Sequence, residues 1–133
     1  MSAGERMPRI LVVEDNPKNL KLAHDVLAFS GYDVVTAETG ERGVAVALAD
    51  PPDLILMDLQ LPGIDGVEAL HRIRGDARCR EIPIVAVTAF AAEDDRSDAF
   101  AAGFDGFLQK PLDVRAFPHQ VQGFLDLGAA DGR

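Results

Sequence analysis

The sequence is poor in cysteine, in basic residues and in long apolar runs, and each shortage excludes a class of protein. A lone cysteine, Cys79, allows no intrachain disulfide, so a reducing compartment is expected. Its thiol is expected to be inert, because the sequence places no cationic or histidine neighbourhood around it. Residues 1–9 lack the apolar run of a signal peptide, and no uncharged stretch approaches the roughly 18 residues of a membrane span. A cytoplasmic protein without membrane insertion is therefore expected.

The charge balance is acidic, with 13 Lys+Arg against 22 Asp+Glu and a net charge of −9 over 133 residues. No stretch rich in Lys and Arg is present, so a phosphate backbone or an anionic lipid has nothing to bind, and direct contact with nucleic acid is not expected. This length predicts one domain with a single core. We expect the domain to span residues 8–127, with residues 1–7 and 128–133 as flexible tails and any output function in another molecule.

Short apolar runs alternate with helical patterns, in the order expected of successive βα units around a parallel sheet. The runs that predict strands lie at residues 10–13, 33–36, 54–57, 84–87 and 106–108. The first, third and fourth are continuously apolar, as central strands covered by helices on both faces should be. The alternation predicts an α/β fold, a flavodoxin-like doubly wound parallel sheet in the order 2-1-3-4-5.

Capping residues and apolar spacing indicate the helices between these strands. Asn16 is a predicted N-cap, Pro17 opens the first helix and Gly31 ends it. Asp65 caps the third helix, and Glu68 completes a capping-box pattern. The second and fourth helices are predicted over residues 41–49 and 92–102, and the predicted core-facing side chains are Leu20, Ala23, Leu27, Val44, Ala47, Leu48, Val67, Leu70 and Ile73.

A fifth helix is predicted to start after Asp113. The apolar residues at helical spacing that predict it are Val114, Phe117, Val121 and Phe124. Pro118 would then fall about five residues into the helix, where it removes a backbone hydrogen bond and tends to kink or delay the helix. A kinked or delayed first turn is therefore expected for this helix.

Acidic, hydroxyl and basic residues follow the predicted strands at their carboxyl ends, where a doubly wound sheet places its ligand site. Glu14 and Asp15 follow the first strand, and Asp58 follows the third. Thr88 follows the fourth strand and Lys110 the fifth. Any one of these residues is most simply a cap or the start of a loop, but their joint position on one edge indicates a functional site.

The chemistry of this set favours a divalent cation and a phosphoryl group. Without a cation, Glu14, Asp15 and Asp58 would repel one another and at least one pKa would rise. Mg²⁺ suits a site with one or two direct carboxylates, a backbone carbonyl and retained waters. Lys110 offers a point charge to phosphate or to the metal-free carboxylates, and Thr88 a hydrogen-bond donor to a phosphoryl oxygen. In-line phosphoryl transfer is indicated, with Asp58 as the best placed nucleophile.

Four ordered strings make residues 8–127 resemble a response-regulator receiver domain of the CheY-like kind, the phosphoacceptor module of two-component signalling. They are Val-Glu-Asp-Asn at 13–16, Leu-Met-Asp-Leu-Gln-Leu-Pro-Gly at 56–63, Thr-Ala at 88–89, and Lys-Pro at 110–111 after Gly-Phe-Asp-Gly-Phe at 103–107. Within the family, the strings at 14–16, 54–58 and 87–91 are most similar to stand-alone receivers of the DivK type.

The resemblance implies a role for each matching residue. Asp58 would accept a phosphoryl group from a phosphohistidine of a histidine kinase or a histidine phosphotransfer protein. Asp15, Asp58 and the backbone carbonyl of Gln60 would ligate Mg²⁺ directly, and Glu14 would act through a bound water. Lys110 would bridge Asp58 and the phosphoryl group. The resemblance also implies a signalling protein that catalyses its own phosphorylation and dephosphorylation without separate substrate turnover.

The resemblance further implies a switch and a proline isomer. The Lys110–Pro111 peptide would be cis. Thr88 would move toward the phosphoryl group and vacate space into which Phe107 rotates, which carries the signal to the fourth helix, fifth strand and fifth helix. A core role for Phe107 is an equally good interpretation. Phe90 would place a bulky ring near the phosphoryl site, which predicts slow self-dephosphorylation.

Two other functions are compatible with parts of the pattern. A haloacid-dehalogenase-type phosphatase also uses an Asp nucleophile and Mg²⁺ at a strand end, but it carries a second Asp two residues later, where this chain has Gln60. A pseudo-receiver, which binds partners without phosphorylation, predicts an eroded acidic site. Nothing in Glu14, Asp15, Asp58 or Lys110 is eroded, so the phosphoacceptor interpretation is favoured.

Overall fold

The structure is a computed structural model that describes residues 7–89 and 92–131. The elements in this part of the chain are β1 (Arg9–Val13), α1 (Pro17–Phe29), β2 (Asp33–Ala37), α2 (Gly40–Ala49), β3 (Leu54–Asp58), α3 (Gly66–Arg74), a 3₁₀ turn (Ala77–Cys79), β4 (Ile84–Thr88), α4 (Glu93–Ala102), β5 (Gly106–Gln109) and α5 (Phe117–Asp131). Five described strands form one parallel sheet in the order β2-β1-β3-β4-β5. The predicted flavodoxin-like fold and strand order are confirmed.

The continuously apolar strands lie in the middle of the sheet and supply a core to each face. Successive side chains of a strand point to opposite faces, so a fully apolar strand feeds two cores at once. In β1, Leu11 and Val13 pack in the cluster with α2, α3 and α4. Ile10 and Val12 pack in the other cluster, with α1 and α5. This two-sided burial fixes the carboxyl ends of the strands on one rigid edge.

Local capping chemistry starts α1 and α3 where the sequence predicts. Asn16 Oδ1 accepts hydrogen bonds from the N–H groups of Lys18 (2.9 Å) and Asn19 (3.2 Å), ahead of Pro17. Asp65 Oδ1 accepts from Glu68 N at 2.9 Å, while the Glu68 carboxylate accepts from Arg72 Nε. One half of the predicted capping box therefore forms. The other half does not, because Glu68 pairs instead with Arg72, four residues later in the helix.

The start of α5 differs from the prediction. Asp113 Oδ1 accepts from the N–H groups of Arg115 (2.9 Å) and Ala116 (3.3 Å), which closes a separate turn before the helix begins at Phe117. Pro118 consequently lies in the first turn of α5, where a missing N–H costs nothing, and not five residues inside the helix. The later start is the delay that Pro118 is expected to cause. Val114, the first of the apolar residues at helical spacing, lies on the preceding turn and is 50% exposed.

The other end of α5 extends beyond the expected domain boundary. The helix continues to Asp131, so residues 128–131, part of the predicted tail, are helical. Gly128 lies so close to Pro83 that an added Cβ would be 2.8 Å from Pro83 Cδ. The remaining tail residues, 1–6 and 132–133, lie outside the described part of the chain.

Candidate functional site

The predicted site residues meet at the carboxyl edge of the sheet. Asp58 and Thr88 are the last residues of β3 and β4, and Glu14 directly follows β1. Lys110 follows β5, and its N–H donates to the Thr88 carbonyl at 2.8 Å. The Lys110–Pro111 peptide is cis, as expected. Adjacent parallel strands thus place these four side chains on one rim.

Lys110 bridges two buried carboxylates in the centre of this rim. Its Nζ lies 2.6 Å from Glu14 Oε1 and 2.8 Å from Asp58 Oδ2. The second oxygens are also bonded, since Asn16 N donates to Glu14 Oε2 at 3.0 Å and Gln60 N donates to Asp58 Oδ1 at 2.9 Å. Glu14 and Asp58 are only 5% and 4% exposed. Each buried carboxylate is therefore held in a fixed direction by one backbone donor and one ammonium donor.

The burial of these groups changes their proton affinity. Burial raises the pKa of Glu14, and the neighbouring Asp58 adds to this effect, against the hydrogen bonds from Lys110 and Asn16. Burial opposes the charged form of Lys110, but its pairs with Asp58 and Glu14 outweigh that cost and leave the Lys110 pKa above its ordinary value. Lys110 is therefore an ammonium at neutral pH.

The acidic residues on this rim have the chemistry and spacing of a metal site. Oxygen atoms of Glu14, Asp15 and Asp58 all lie within 4.8 Å of one another, with Asp15 exposed and the other two buried. Gln60 is exposed in the loop after β3 and is tied to Asp58 through its N–H. An oxygen-only donor set with one solvent-facing carboxylate fits Mg²⁺, which keeps several of its waters.

Thr88 and Phe107 lie on the α4 side of the rim. Thr88 is 3% exposed, and Phe107 is 8% exposed in the cluster shared with α2, α3 and α4. The Arg96 guanidinium of α4 covers the Phe107 ring, 5.0 Å from its centroid, at a distance typical of a cation–π contact. The sequence does not predict the role of Arg96. It is the one arginine of an acidic helix, and no sequence pattern indicates that it contacts an aromatic ring on another element. Phe90 lies outside the described residues.

The second aspartate that a haloacid-dehalogenase-type phosphatase carries is replaced in this chain. The residue two positions after Asp58 is Gln60, an amide that cannot serve as a general acid. Cys79 is fully buried, and burial raises the pKa of its thiol. A nucleophilic cysteine needs a lowered pKa, so Cys79 does not have the properties of a nucleophile. The burial of Cys79 agrees with the inert thiol expected from the sequence.

Comparison with known proteins assigns this arrangement to a family. The family model described as the response regulator receiver domain matches residues 10–122. This chain belongs to the response-regulator receiver family. It is a receiver domain of two-component signalling, and a phosphoacceptor role fits the family. Receiver domains interact with histidine kinases and with downstream targets.

Individual relatives agree with this assignment over nearly the whole chain. The polar-differentiation response regulator DivK of Brucella ovis is 36% identical over 116 residues, which cover 87% of this chain and 94% of that protein. DivK of Brucella anthropi is 37% identical over 120 residues, with 90% and 98% covered. The resemblance to DivK that the sequence strings predict is confirmed.

Solved receiver structures share the fold and, in one case, hold magnesium. The receiver domain of the Pseudomonas aeruginosa sensor histidine kinase PA1611, which has a magnesium ion coordinated in its active-site cleft, is 35% identical with a TM-score of 0.84 and covers 91% of this chain and 99% of that chain. Vibrio cholerae CheY4 is 25% identical with a TM-score of 0.85, and covers 90% of this chain and 99% of its own. Of the helices in the described part of this receiver, none combines the length and apolar composition needed to cross a membrane.

Proposed function

We propose that Asp58 of this receiver accepts a phosphoryl group from a phosphohistidine. The observation that carries the proposal is the bridge from Lys110 Nζ to Asp58 Oδ2 and Glu14 Oε1 at the edge of the sheet. This bridge holds the buried Asp58 carboxylate beside the Lys110 ammonium. The ammonium can then pair with the oxygens of the incoming phosphoryl group. A buried aspartate with these partners is oriented for attack before the donor arrives.

We assign the metal site to Asp15, Asp58 and the backbone carbonyl of Gln60, with Glu14 acting through a bound water. The clustering of three carboxylates within 4.8 Å supports this assignment, because such groups repel one another without a cation. Mg²⁺ in this place supplies positive charge that offsets the charge on the phosphoryl oxygens during transfer.

The transfer itself exchanges one bond for another. A carboxylate oxygen of Asp58 attacks phosphorus, and the bond from phosphorus to the donor's imidazole nitrogen breaks, with the electron pair staying on that nitrogen. The product is an acyl phosphate on Asp58. Lys110, which bridges Asp58 and Glu14 beforehand, then pairs with a phosphoryl oxygen. The Thr88 hydroxyl donates a hydrogen bond to another.

The signal would leave the site through Thr88 and Phe107. Movement of Thr88 toward the phosphoryl group vacates space for the Phe107 ring, and the surface of α4, β5 and α5 changes shape in response. The contact between Arg96 and Phe107 supports this route, because it joins the ring directly to the surface of α4.

The same proposal covers turnover, partners and location. The domain would catalyse its own phosphorylation and the hydrolysis of its own acyl phosphate, without turning over a separate substrate. A histidine kinase or a histidine phosphotransfer protein would supply the phosphoryl group, and an unidentified downstream protein would receive the signal. The absence of a second cysteine to pair with Cys79 supports a reducing, cytoplasmic compartment.

Phosphorylation by a small donor tests the proposal. The protein is incubated with Mg²⁺ and acetyl phosphate, and intact mass is recorded for the wild type, for Asp58→Asn and for Asp126→Asn, a matched control on the exposed face of α5. We expect one added phosphoryl group on the wild type and on the control, and none on Asp58→Asn. Labelling that persists in Asp58→Asn would move the acceptor elsewhere. An unlabelled wild type would favour a pseudo-receiver, which binds partners without phosphorylation.

A further inference from the structure

We propose that Glu41, in the first turn of α2, is a positioning residue for the metal site. Its carboxylate holds the β3–α3 loop, residues 59–65, and thereby keeps Gln60 in place as a ligand. The inference rests on the proposed magnesium site but concerns a residue on a helix, whereas every proposed ligand lies at a strand end or in a loop. None of the sequence motifs includes Glu41.

The contact between Glu41 and the loop is direct. Glu41 Oε2 accepts a hydrogen bond from the Ile64 N–H at 3.3 Å. The same carboxylate lies against Gly63, where an added Cβ would be 2.6 Å from Oε2. Gly63 has a φ of +76°, a backbone conformation that suits glycine and turns the loop toward α2. The carboxylate thus fills the space that a side chain at position 63 would need.

The helix residue before Glu41 reinforces this contact. Gly40 approaches Ile64 so closely that an added Cβ would lie 2.7 Å from both the Ile64 carbonyl oxygen and its Cγ1. Any larger residue at position 40 would push the loop away. The start of α2 and the 63–64 segment therefore interlock as backbone against backbone, with Glu41 as the hydrogen-bonding partner.

The ends of the loop are fixed by Asp58 and by its own backbone. Gln60 N donates to Asp58 Oδ1 at 2.9 Å, and Gly66 N donates to the Leu59 carbonyl at 3.2 Å. Within the described residues, Glu41 is the one side chain from another element that hydrogen-bonds the loop between these two ends. Loss of Glu41 should therefore loosen the stretch between these two ends, which begins with the peptide that carries the Gln60 carbonyl, while the bonds from Gln60 N and Gly66 N stay in place.

A loose loop should weaken magnesium binding without changing the chemistry at Asp58. Mg²⁺ demands near-ideal octahedral geometry, so a Gln60 carbonyl that is not held in one position should bind Mg²⁺ less tightly. Partners that orient metal ligands typically change affinity by 10–100-fold, and a long bond at an exposed residue belongs at or below the lower end of that range. We expect Glu41→Ala to raise the Mg²⁺ concentration for half-maximal effect by about three- to tenfold.

Three variants separate positioning from charge. Glu41→Ala removes both the acceptor and the charge, whereas Glu41→Gln removes the charge and keeps an oxygen that accepts from Ile64 N. Glu38→Ala removes an exposed charge from the nearby connection between β2 and α2. Each protein is titrated with Mg²⁺ alone, followed by the amide NMR signals of the loop. Hydrogen exchange of the Ile64 amide is measured without metal, and the phosphorylation rate with acetyl phosphate is measured across Mg²⁺ concentrations.

The expected pattern is specific to a positioning role. Glu41→Ala should bind Mg²⁺ more weakly and exchange the Ile64 amide faster, with an unchanged phosphorylation rate at saturating Mg²⁺. Glu41→Gln should restore both properties to within about twofold of wild type, a difference of about 0.4 kcal/mol at most. An equal loss of Mg²⁺ affinity in all three variants would mean that only the negative charge matters, and would overturn the proposal. An unchanged Mg²⁺ affinity in Glu41→Ala would also overturn it. Failure of every protein, wild type included, to become phosphorylated at saturating Mg²⁺ would instead overturn the proposed function.

Discussion

At the scale of single residues, the site is a set of buried charges that are stable only because they are paired. Glu14 and Asp58 would repel each other strongly at 5% and 4% exposure, and the Lys110 ammonium between them offsets that repulsion. Lys110 is thus a structural counter-ion before phosphorylation and an electrostatic partner of the phosphoryl group afterwards. The two roles make different predictions for stability and for activity.

Removal of Lys110 should destabilise the metal-free protein. Lys110→Met leaves two buried carboxylates facing each other, and we expect the free energy of unfolding to fall by about 2–4 kcal/mol at neutral pH. Lys21→Met is the matched control, because Lys21 pairs with Asp25 on the surface of α1 at 77% side-chain exposure. Its loss should cost at most about 0.5 kcal/mol. Urea denaturation of both variants without Mg²⁺ measures the difference, and equal losses would contradict the structural role of Lys110.

Glu14 predicts a pH dependence of stability. Burial raises its folded pKa above the ordinary value of 4.5, so the folded state holds the proton more tightly than the unfolded chain does. The stabilisation from this group is complete below pH 4.5 and is lost as pH rises through the folded pKa. In metal-free buffer, the wild type should therefore lose stability relative to Glu14→Gln between that pH and neutrality. A constant difference between the two proteins across this range, measured by denaturation at each pH, would show that Glu14 titrates normally.

Phe90 predicts a long-lived phosphorylated form. A bulky apolar ring two residues after Thr88 offers no group to orient a hydrolytic water, whereas a carboxylate there could do so. We expect Phe90→Glu to shorten the half-life of the phosphorylated protein severalfold and Phe90→Leu to leave it nearly unchanged. The decay of the phosphoprotein mass after removal of the donor gives both values. Equal half-lives for the wild type and Phe90→Glu would count against this role for the ring.

At the scale of elements, one arginine ties several of them together on the opposite edge of the sheet. Arg74, at the end of α3, donates through Nη1 to the backbone carbonyls of Cys79 (2.9 Å), Arg80 (3.1 Å) and Ile82 (2.6 Å). Its Nη2 donates to Asp105 Oδ2 at 2.6 Å, just before β5. The Arg74 side chain therefore joins the connection from α3 to β4 to the start of β5, where Asp105 Oδ2 also accepts from Ile84 N at 2.9 Å.

Loss of this arginine should be costly for an incompletely buried residue. Arg74→Ala leaves several carbonyls without their donor, and we expect the free energy of unfolding to fall by about 2–3 kcal/mol. Arg72→Ala, a control in the same helix, breaks only the exposed pair with Glu68 and should cost about 0.5 kcal/mol or less. Thermal or urea unfolding of the two variants compares them. If Arg74→Ala lowers the free energy of unfolding no more than the control does, the connection from α3 to β4 is stable without the Arg74 side chain.

The sequence predicts most elements because their signals are local. Apolar runs and side-chain caps act within a few residues, so β1, β3 and β4 and the start of α1 are where the patterns put them. The start of α5 is not, because Asp113 caps a turn that competes with the helix and Pro118 suits only a first turn. Periodicity alone cannot decide between a turn and a helix that share the same spacing.

At the scale of the whole molecule, topology explains why the core of the site could be predicted and its supports could not. Parallel strands of a doubly wound sheet all end on one edge, so Asp58, Thr88 and Lys110 must approach one another once the strand order is known. The contacts of Glu41 with Ile64 and of Arg96 with Phe107 join surface positions on separate elements. Such pairs depend on how side chains pack, and no sequence spacing specifies them.

The central claim, that Asp58 carries the phosphoryl group, is tested most directly by chemical mapping of the acceptor. Borohydride reduces an aspartyl phosphate to homoserine but leaves free carboxylates and phosphate esters intact. The protein is phosphorylated with acetyl phosphate and Mg²⁺, reduced, digested and analysed by peptide mass spectrometry. We expect homoserine at position 58 and at no other acidic position, and only when Mg²⁺ is present. Homoserine at a different position, or a phosphoryl group that resists reduction and stays on a residue such as Thr88, would contradict it.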